Sequence, residues 1–202
     1  MRASGRTVTE NARRSQIVRA AIETIGELGY AKASFGQIAK RAGLSSTGMI
    51  SYHFNGKADL VRELVQQVLA ASVVHMGARI EAAPDPAAKL TAYITSNLEF
   101  IAQHPAEITA MLDILQHSRA GHPETEGLDS WHGDAIDVLA ELLRTGQRSG
   151  AFRDFDPRVM AITVRQAIDG LPTELIAHPG TDIDAYASEL VLTFALATRA
   201  TS

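Results

Sequence analysis

Apolar residues near the start of the chain recur at steps of three and four. Ile17, Val18, Ala21, Ile25 and Leu28 share one side of a helical projection, while Arg14, Arg19, Glu23 and Glu27 fall on others. The pattern predicts an amphipathic helix over about 15–28, closed by Gly29. A second helix is predicted directly after it. Ser34 has the chemistry of an N-cap, Phe35, Ile38, Ala39 and Ala42 form its apolar stripe, and Gly43 supplies the left-handed residue that ends it. A third, shorter helix follows over about 46–53, with Met49 or Ile50 and Phe54 turned inward.

From Lys57 to about residue 83 there is no proline, and Leu60, Val61, Leu64, Val65, Val68 and Leu69 keep helical spacing. At 1.5 Å rise per residue this helix would be about 40 Å long. All seven prolines lie beyond it, and they delimit further helices at about 86–103, 105–118, 126–149, 157–176 and 182–200. Residues 118–127 read as the longest loop. Strand-like alternation is sustained nowhere, so the expected fold class is all-α: a small N-terminal domain of three helices, then a larger helical domain.

Within this pattern, SFGQIAKRAGLSSTGMISYHF (residues 34–54) has the spacing of a helix-turn-helix, whose second helix enters the major groove. Ser45, Ser46, Thr47 and Gly48 are small enough to let the backbone approach a duplex, and the hydroxyls of the first three can bond phosphates or base edges. A serine at 45 or 46 would equally serve as an N-cap. Tyr52 and His53 close the helix, either as clamps on the DNA backbone or as part of a small core. Lys57 stands in the first turn of the next helix, where the helix dipole disfavours a cation. A phosphate at that N-terminus would account for it, taking both the charge and the free N–H groups.

Charge sharpens the division. Residues 1–57 hold nine bases against three acids, a net of +6, and the remainder holds ten bases against twenty acids, a net of -10. A basic module facing a polyanion, attached to an acidic body, is the functional reading; chance distribution of solvated charge is the plain one. Arg2, Arg6, Arg13 or Arg14 could reach DNA from an N-terminal arm, although a solvated tail is the simpler expectation. The expected boundaries are 1–56 for the DNA-binding domain, with 1–12 as a flexible basic arm, and 57–202 for the body.

With 46% apolar residues the chain can bury a real core, and with no cysteine it can form no disulfide, thiol nucleophile or cysteine–zinc site. No apolar run is long enough to span a bilayer, and the polar start lacks the core of a signal peptide, so a cytoplasmic location is expected. H-E-x-x-H, G-x-x-x-x-G-K and G-x-S-x-G are all missing, so an enzyme is not expected.

The run QIAKRAGLSSTGMISYHFNGKADL, within a match from 15 to about 64, resembles the TetR (tetracycline repressor) family of bacterial transcriptional regulators. The resemblance implies a homodimeric, all-helical regulator, usually a repressor, that binds a near-palindromic double-stranded operator and leaves it when a small-molecule effector enters the C-terminal domain. No cofactor is implied. The DNA-facing positions carried over are Ser34, Ser45, Ser46, Thr47, Gly48, Ser51, Tyr52, His53 and Lys57. Two departures stand out: the stretch from Gly43 to Phe54 is one residue longer than in many relatives, and glycine at 56 replaces a frequent serine.

The segment GQRSGAFRDFDPRVMAITVRQAIDGL (residues 146–171) is similar to the connection between helices that pair across such dimers. Ile136, Leu139, Leu142, Leu143, Ile162, Ile168 and Leu171 are the expected seam, or else part of the chain's own core; both demand the same stripe. Met76, Tyr93, Phe100, Met111, Ile114, His117 and Trp131 are candidate lining for an effector pocket. Asp113 and His117, one turn apart, could also hold a divalent metal, but no further ligands stand at fixed spacing and none is assigned. The rival to a regulator is a helical small-molecule-binding protein with a non-functional DNA module.

Overall fold

The structure is a computed structural model in which residues 8–119 and 130–200 are described. Among these residues the chain forms ten helices and no strand, apart from one isolated bridge between Phe152 and Arg199. The described residues divide into two compact units, one of residues up to 69 with 106–119, the other of residues 70–105 with 130–200.

In the first unit α1 spans Val8–Leu28, α2 Phe35–Arg41, α3 Gly48–His53 and α4 begins at Lys57, while α6, Pro105–Arg119, returns to the same unit. Helix α1 starts seven residues earlier than its apolar stripe predicts. Its first turn carries Glu10, which complements the helix dipole. Arg14 is buried: it donates to the His53 carbonyl and pairs with Glu63 at 2.7 Å. Residues 8–12 are helical, and the burial of Arg14 removes it from any arm. The expected arm residues Arg2 and Arg6 lie outside the described residues.

Helix α2 begins as expected at Ser34, and the cap is reciprocal. The Ser34 hydroxyl accepts from the Gln37 N–H, and the Gln37 side chain accepts from the Ser34 N–H at 3.0 Å. At the other end Gly43 takes φ +66, Leu44 N–H reaches the Ala39 carbonyl at 2.9 Å and Gly43 N–H that of Lys40 at 3.2 Å. This is a Schellman ending, which satisfies the last carbonyls of α2 and needs a residue without Cβ strain at position 43.

The core beneath these helices is Ile17, Ala21, Ile25, Tyr30, Ile38, Ile50, Phe54, Leu60 and Leu64, all at most 2% exposed. Of the two alternatives on α3, Ile50 is the residue turned inward and Met49 is only half-buried. Helix α6 crosses α1 closely enough that a Cβ on Gly26 would meet the Ala106 carbonyl at 3.5 Å.

In the second unit α4 continues to Ala82, followed by α5 (Pro86–Gln103), α7 (Ser130–Arg148), α8 (Pro157–Asp169), α9 (Leu171–Ala177) and α10 (Ile183–Thr198). Helix α5 is central, packing on α7, α8, α9 and α10. Asp85, Asp156 and Asp182 each cap the helix that follows. The single helix expected over 157–176 is two, broken at Gly170. Pro172 has no N–H to continue the ladder, and Gly170 has little helical preference to resist the break. Helix α10 is tied at both ends to the segment 153–167. Near its start the Tyr186 hydroxyl donates to the Ala167 carbonyl at 3.3 Å, and at its end the Arg153 Nε donates to the Ala197 carbonyl at 2.8 Å. Beyond Arg119, the loop expected at 118–127 lies outside the described residues.

Candidate nucleic-acid interface

The face that the helix-turn-helix turns to solvent is built on a rigid base. Ile50 and Phe54 anchor α3 in the core, and the Arg14 guanidinium lies 4.1 Å over the Phe54 ring while its donors hold the last turn of α3 through His53. Gln16 Nε2 donates to the Ala42 carbonyl at 2.7 Å, tying α1 to the turn that precedes α3. With apolar and polar anchors on one side, the other side of α3 has a fixed orientation.

On that other side stand Ser45, Ser46, Thr47, Gly48, Ser51 and Tyr52, all exposed, with Tyr52 at 76%. Thr47 occupies the N-cap position of α3 but makes no side-chain capping bond, so its hydroxyl is available to an outside partner. The Tyr52 and His53 rings meet edge to face at 5.0 Å. Neither completes the core as Phe54 does. Ser34 is exposed at the start of α2, its hydroxyl engaged in the cap.

Between α1 and α3 the surface forms a shallow open hollow lined by Thr9, Glu10, Arg13, Ser46, Gly48, Met49, Tyr52 and His53. Arg13 was expected on an N-terminal arm, whereas Thr9 and Glu10 were not among the sequence candidates. Their spacing, one turn apart on one face, becomes meaningful only once α1 is known to begin at Val8.

Lys57 sits differently from the phosphate-bound expectation. Its Nζ donates to the Tyr30 carbonyl and lies 3.9 Å from the centre of the Tyr30 ring. The cation that looked misplaced on its helix is therefore held by a carbonyl and an aromatic face from the α1–α2 loop. Asp59 in the same turn accepts the Asn55 N–H at 3.0 Å and offsets the dipole. The basic surround is correspondingly smaller than the count of charges. Arg14 and Lys57 are used inside, Arg41 pairs with Glu27 and Glu23, and Arg19, Lys32 and Lys40 are exposed.

The effector candidates fall in both units. Met111, Ile114 and His117 are on α6 in the first: Met111 and Ile114 are buried, and His117 lies 5.0 Å from the Tyr30 ring with its Nδ1 on the Asp113 carbonyl. Asp113 accepts the Tyr30 N–H, so this pair has a structural partner, and no group of three or more ligand-type side chains suited to a metal occurs among the described residues. Met76, Tyr93 and Phe100 belong to the second unit, with Tyr93 and Phe100 buried. The side chain of Trp131 lies outside the described residues.

Of the expected dimer seam, Ile136, Leu139, Leu143, Ile168 and Leu171 are buried within the chain's own core, Leu142 is half-buried and Ile162 is 38% exposed. Large apolar residues that face solvent in the second unit are Val73 and Val74 of α4, Val138 of α7, Val159 and Ile162 of α8, Ile176 of α9, and Leu192 and Leu196 of α10. Among the described residues no helix is long and apolar enough to cross a membrane.

Comparison with known proteins agrees with this geometry. Residues 17–64 match the family model for bacterial regulatory proteins of the tetR family, and residues 86–200 match that of the BetI-type transcriptional repressor C-terminal domain. The HTH-type transcriptional regulator BetI of Stenotrophomonas maltophilia is 36% identical over 91 residues, 45% of this chain and 46% of that protein. Among the curated relatives it matches, the chain spans 46% of that BetI, 28% of BetI 1 of Chromohalobacter salexigens and 66% of the repressor NicS of Pseudomonas putida. Among solved structures, the fatty acid degradation regulator FadR from Bacillus halodurans superposes with a TM-score of 0.78 at 23% identity, covering 91% of this chain and 94% of that one. AibR, solved in complex with isovaleryl coenzyme A and operator DNA, does so with 0.76 at 17% identity, covering 89% and 96%. At such identities the likeness is one of fold. The two family models take in the helix-turn-helix and most of the body, and the chain belongs to the TetR family of bacterial regulatory proteins.

Proposed function

We propose that this protein is a cytoplasmic transcriptional repressor that binds a near-palindromic operator as a homodimer and releases it on binding a small molecule. Residues 1–56 would read DNA and residues 57–202 would bind effector and dimerise. The observation that carries the reading is the row Ser45–Ser46–Thr47–Gly48, Ser51 and Tyr52, exposed together on a short helix whose opposite side is locked into the core. Small hydroxyl residues at the N-terminal end of such a helix suit base edges, and Tyr52 and His53 at its end suit the phosphate backbone. Ser34, exposed at the start of α2, would meet a phosphate there, and Lys57 would act by positioning the α1–α2 loop.

A two-fold pair of these helices would have to meet half-sites about 34 to 36 Å apart, or a multiple of a helical turn. Exposed Val159, Ile162, Leu192 and Leu196 support a pairing surface made by α8 and α10, with Ile136, Leu139, Leu143, Ile168 and Leu171 stiffening it from behind and Leu142 beside it. A gel shift with the DNA upstream of the protein's own gene tests the reading. Retained binding that a metabolite extract abolishes is the expected result; no retardation even at low salt would leave only a helical ligand-binding protein.

A further inference from the structure

Tyr93, Asn97 and Phe100 lie at i, i+4 and i+7 on α5, one face of the helix at the centre of the second unit. Arg165 of α8 is buried against the first two of them, with 7% of its surface exposed. Its Nη1 donates to the Asn97 Oδ1 at 2.9 Å and to the Tyr93 hydroxyl at 3.3 Å, and its Nη2 donates to Asp169. Asn97 is itself oriented, since its Nδ2 donates to the Tyr93 carbonyl at 2.8 Å. Burial opposes the charge, but Tyr93 and Asp169 outweigh it and hold the guanidinium above its ordinary pKa. The head group therefore stays charged and fixed, yet its Nε–H is buried with no hydrogen-bond partner.

The other end of the same α5 face repeats the situation. His75 of α4 leans on the Phe100 ring with centroids 5.7 Å apart, and its Nε2 is also buried without a hydrogen-bond partner, the Glu99 carboxylate standing off at 3.7 Å. Buried polar atoms are nearly always paired, and one left unmade in a core costs more than an apolar replacement would. Two such atoms flank one helical face, about 10 Å long from Tyr93 to Phe100 by the rise of the helix. The pattern is that of a site organised for a partner.

We propose that Arg165, held by Tyr93 and Asn97, is the polar anchor of the effector site, and that the effector is a small acyl compound. Its carbonyl or carboxylate oxygen accepts the Arg165 Nε–H while its apolar body lies along Phe100 towards His75. The proposal deepens the effector reading above and rests on it. Arginine has donors only, so the bound group must offer an acceptor. Asp169 already balances the guanidinium charge, so the oxygen need not be ionised. A cationic head group has no lone pair to accept the Nε–H, so the geometry argues against one at this position.

Thermal melting of the full chain tests this with butyrate, hexanoate, octanoate and benzoate, their primary amides, the corresponding alkylammonium ions, and choline. Acids or amides should raise the midpoint by a few degrees, the better of the two series telling whether the oxygen is ionised, and the cations should not. Arg165→Lys keeps the charge but loses the Nε–H, and should abolish the rise while retaining the helical circular dichroism signal. Should that variant unfold, Tyr93→Phe removes one hold on the guanidinium and should weaken binding several-fold. No response to any acyl compound, an equal response to the cations, or a response that survives both substitutions would overturn the anchor. Operator gel shifts run in parallel separate the two readings. DNA binding with no acyl response removes the anchor alone, and acyl binding without DNA binding removes the regulator alone.

Discussion

The Asp113 carboxylate of α6 accepts the backbone N–H of Tyr30 across 83 residues of sequence. The same Tyr30 offers its carbonyl and ring to Lys57 at the start of α4. The loop that leads into the helix-turn-helix is therefore gripped from α6 on one side and α4 on the other. Replacing Asp113 by alanine leaves a half-buried N–H unmade, and should cost about 1 to 3 kcal/mol in urea unfolding. Asp113→Asn keeps an acceptor and should cost less than half as much. Equal losses for both would show that the hydrogen bond is not what Asp113 contributes.

Lys57→Ala should lower stability by about 1 to 2 kcal/mol, through loss of the ring contact and the charged hydrogen bond. Because the Nζ faces Tyr30, the salt dependence of DNA binding should hardly change. A phosphate contact by this lysine would instead reduce the log–log slope by about 0.9. Binding measured over a salt series decides between them.

Thr47 and Tyr52 should separate by role. Both are exposed, so Thr47→Ala and Tyr52→Ala should change folding stability by no more than about 0.5 kcal/mol. Thr47→Ala should alter preference among operator variants, whereas Tyr52→Ala should weaken binding to operator and random DNA by similar factors. Competition binding with both kinds of DNA checks the division, and a uniform loss for both variants would erase it.

The pairing surface can be located by charge. Val159→Glu and Leu196→Glu introduce a carboxylate at exposed apolar positions of α8 and α10, and each should shift sedimentation from dimer to monomer with little loss of helical signal. Val138→Glu, on the exposed side of α7, should leave the dimer intact. Monomerisation by Val138→Glu alone would move the interface to α7.

Much of the architecture was legible in the chain because it rests on local rules. Helical spacing, the Ser34 cap, the left-handed Gly43 and the positions of the prolines act over a few residues, and the helix boundaries of α2, α4 and α5 follow from them. Spacing alone did not expose the hydroxyl row of α3: Thr47 and Ser51 stand three residues before Ile50 and Phe54, near the same side of a helical projection, yet both are exposed, Thr47 because it precedes the helix as its N-cap. Local rules also explain the two boundary errors. Periodicity of apolar residues could not register a helix start that lies beyond the apolar stripe, nor weigh Gly170 and Pro172 together as a break.

What only tertiary structure decided was the use made of each polar and apolar group. Nine bases in the first 57 residues read as one basic surface, yet Arg14 and Lys57 are consumed by Glu63, His53 and Tyr30, partners remote in sequence. The stripe from Ile136 to Leu143 could serve a partner or the chain's own core, and it faces α5 and α8 within the chain because those helices fold against it. Sequence spacing determines which residues share a face; which surface that face meets depends on helices brought together by packing, and that information is not local.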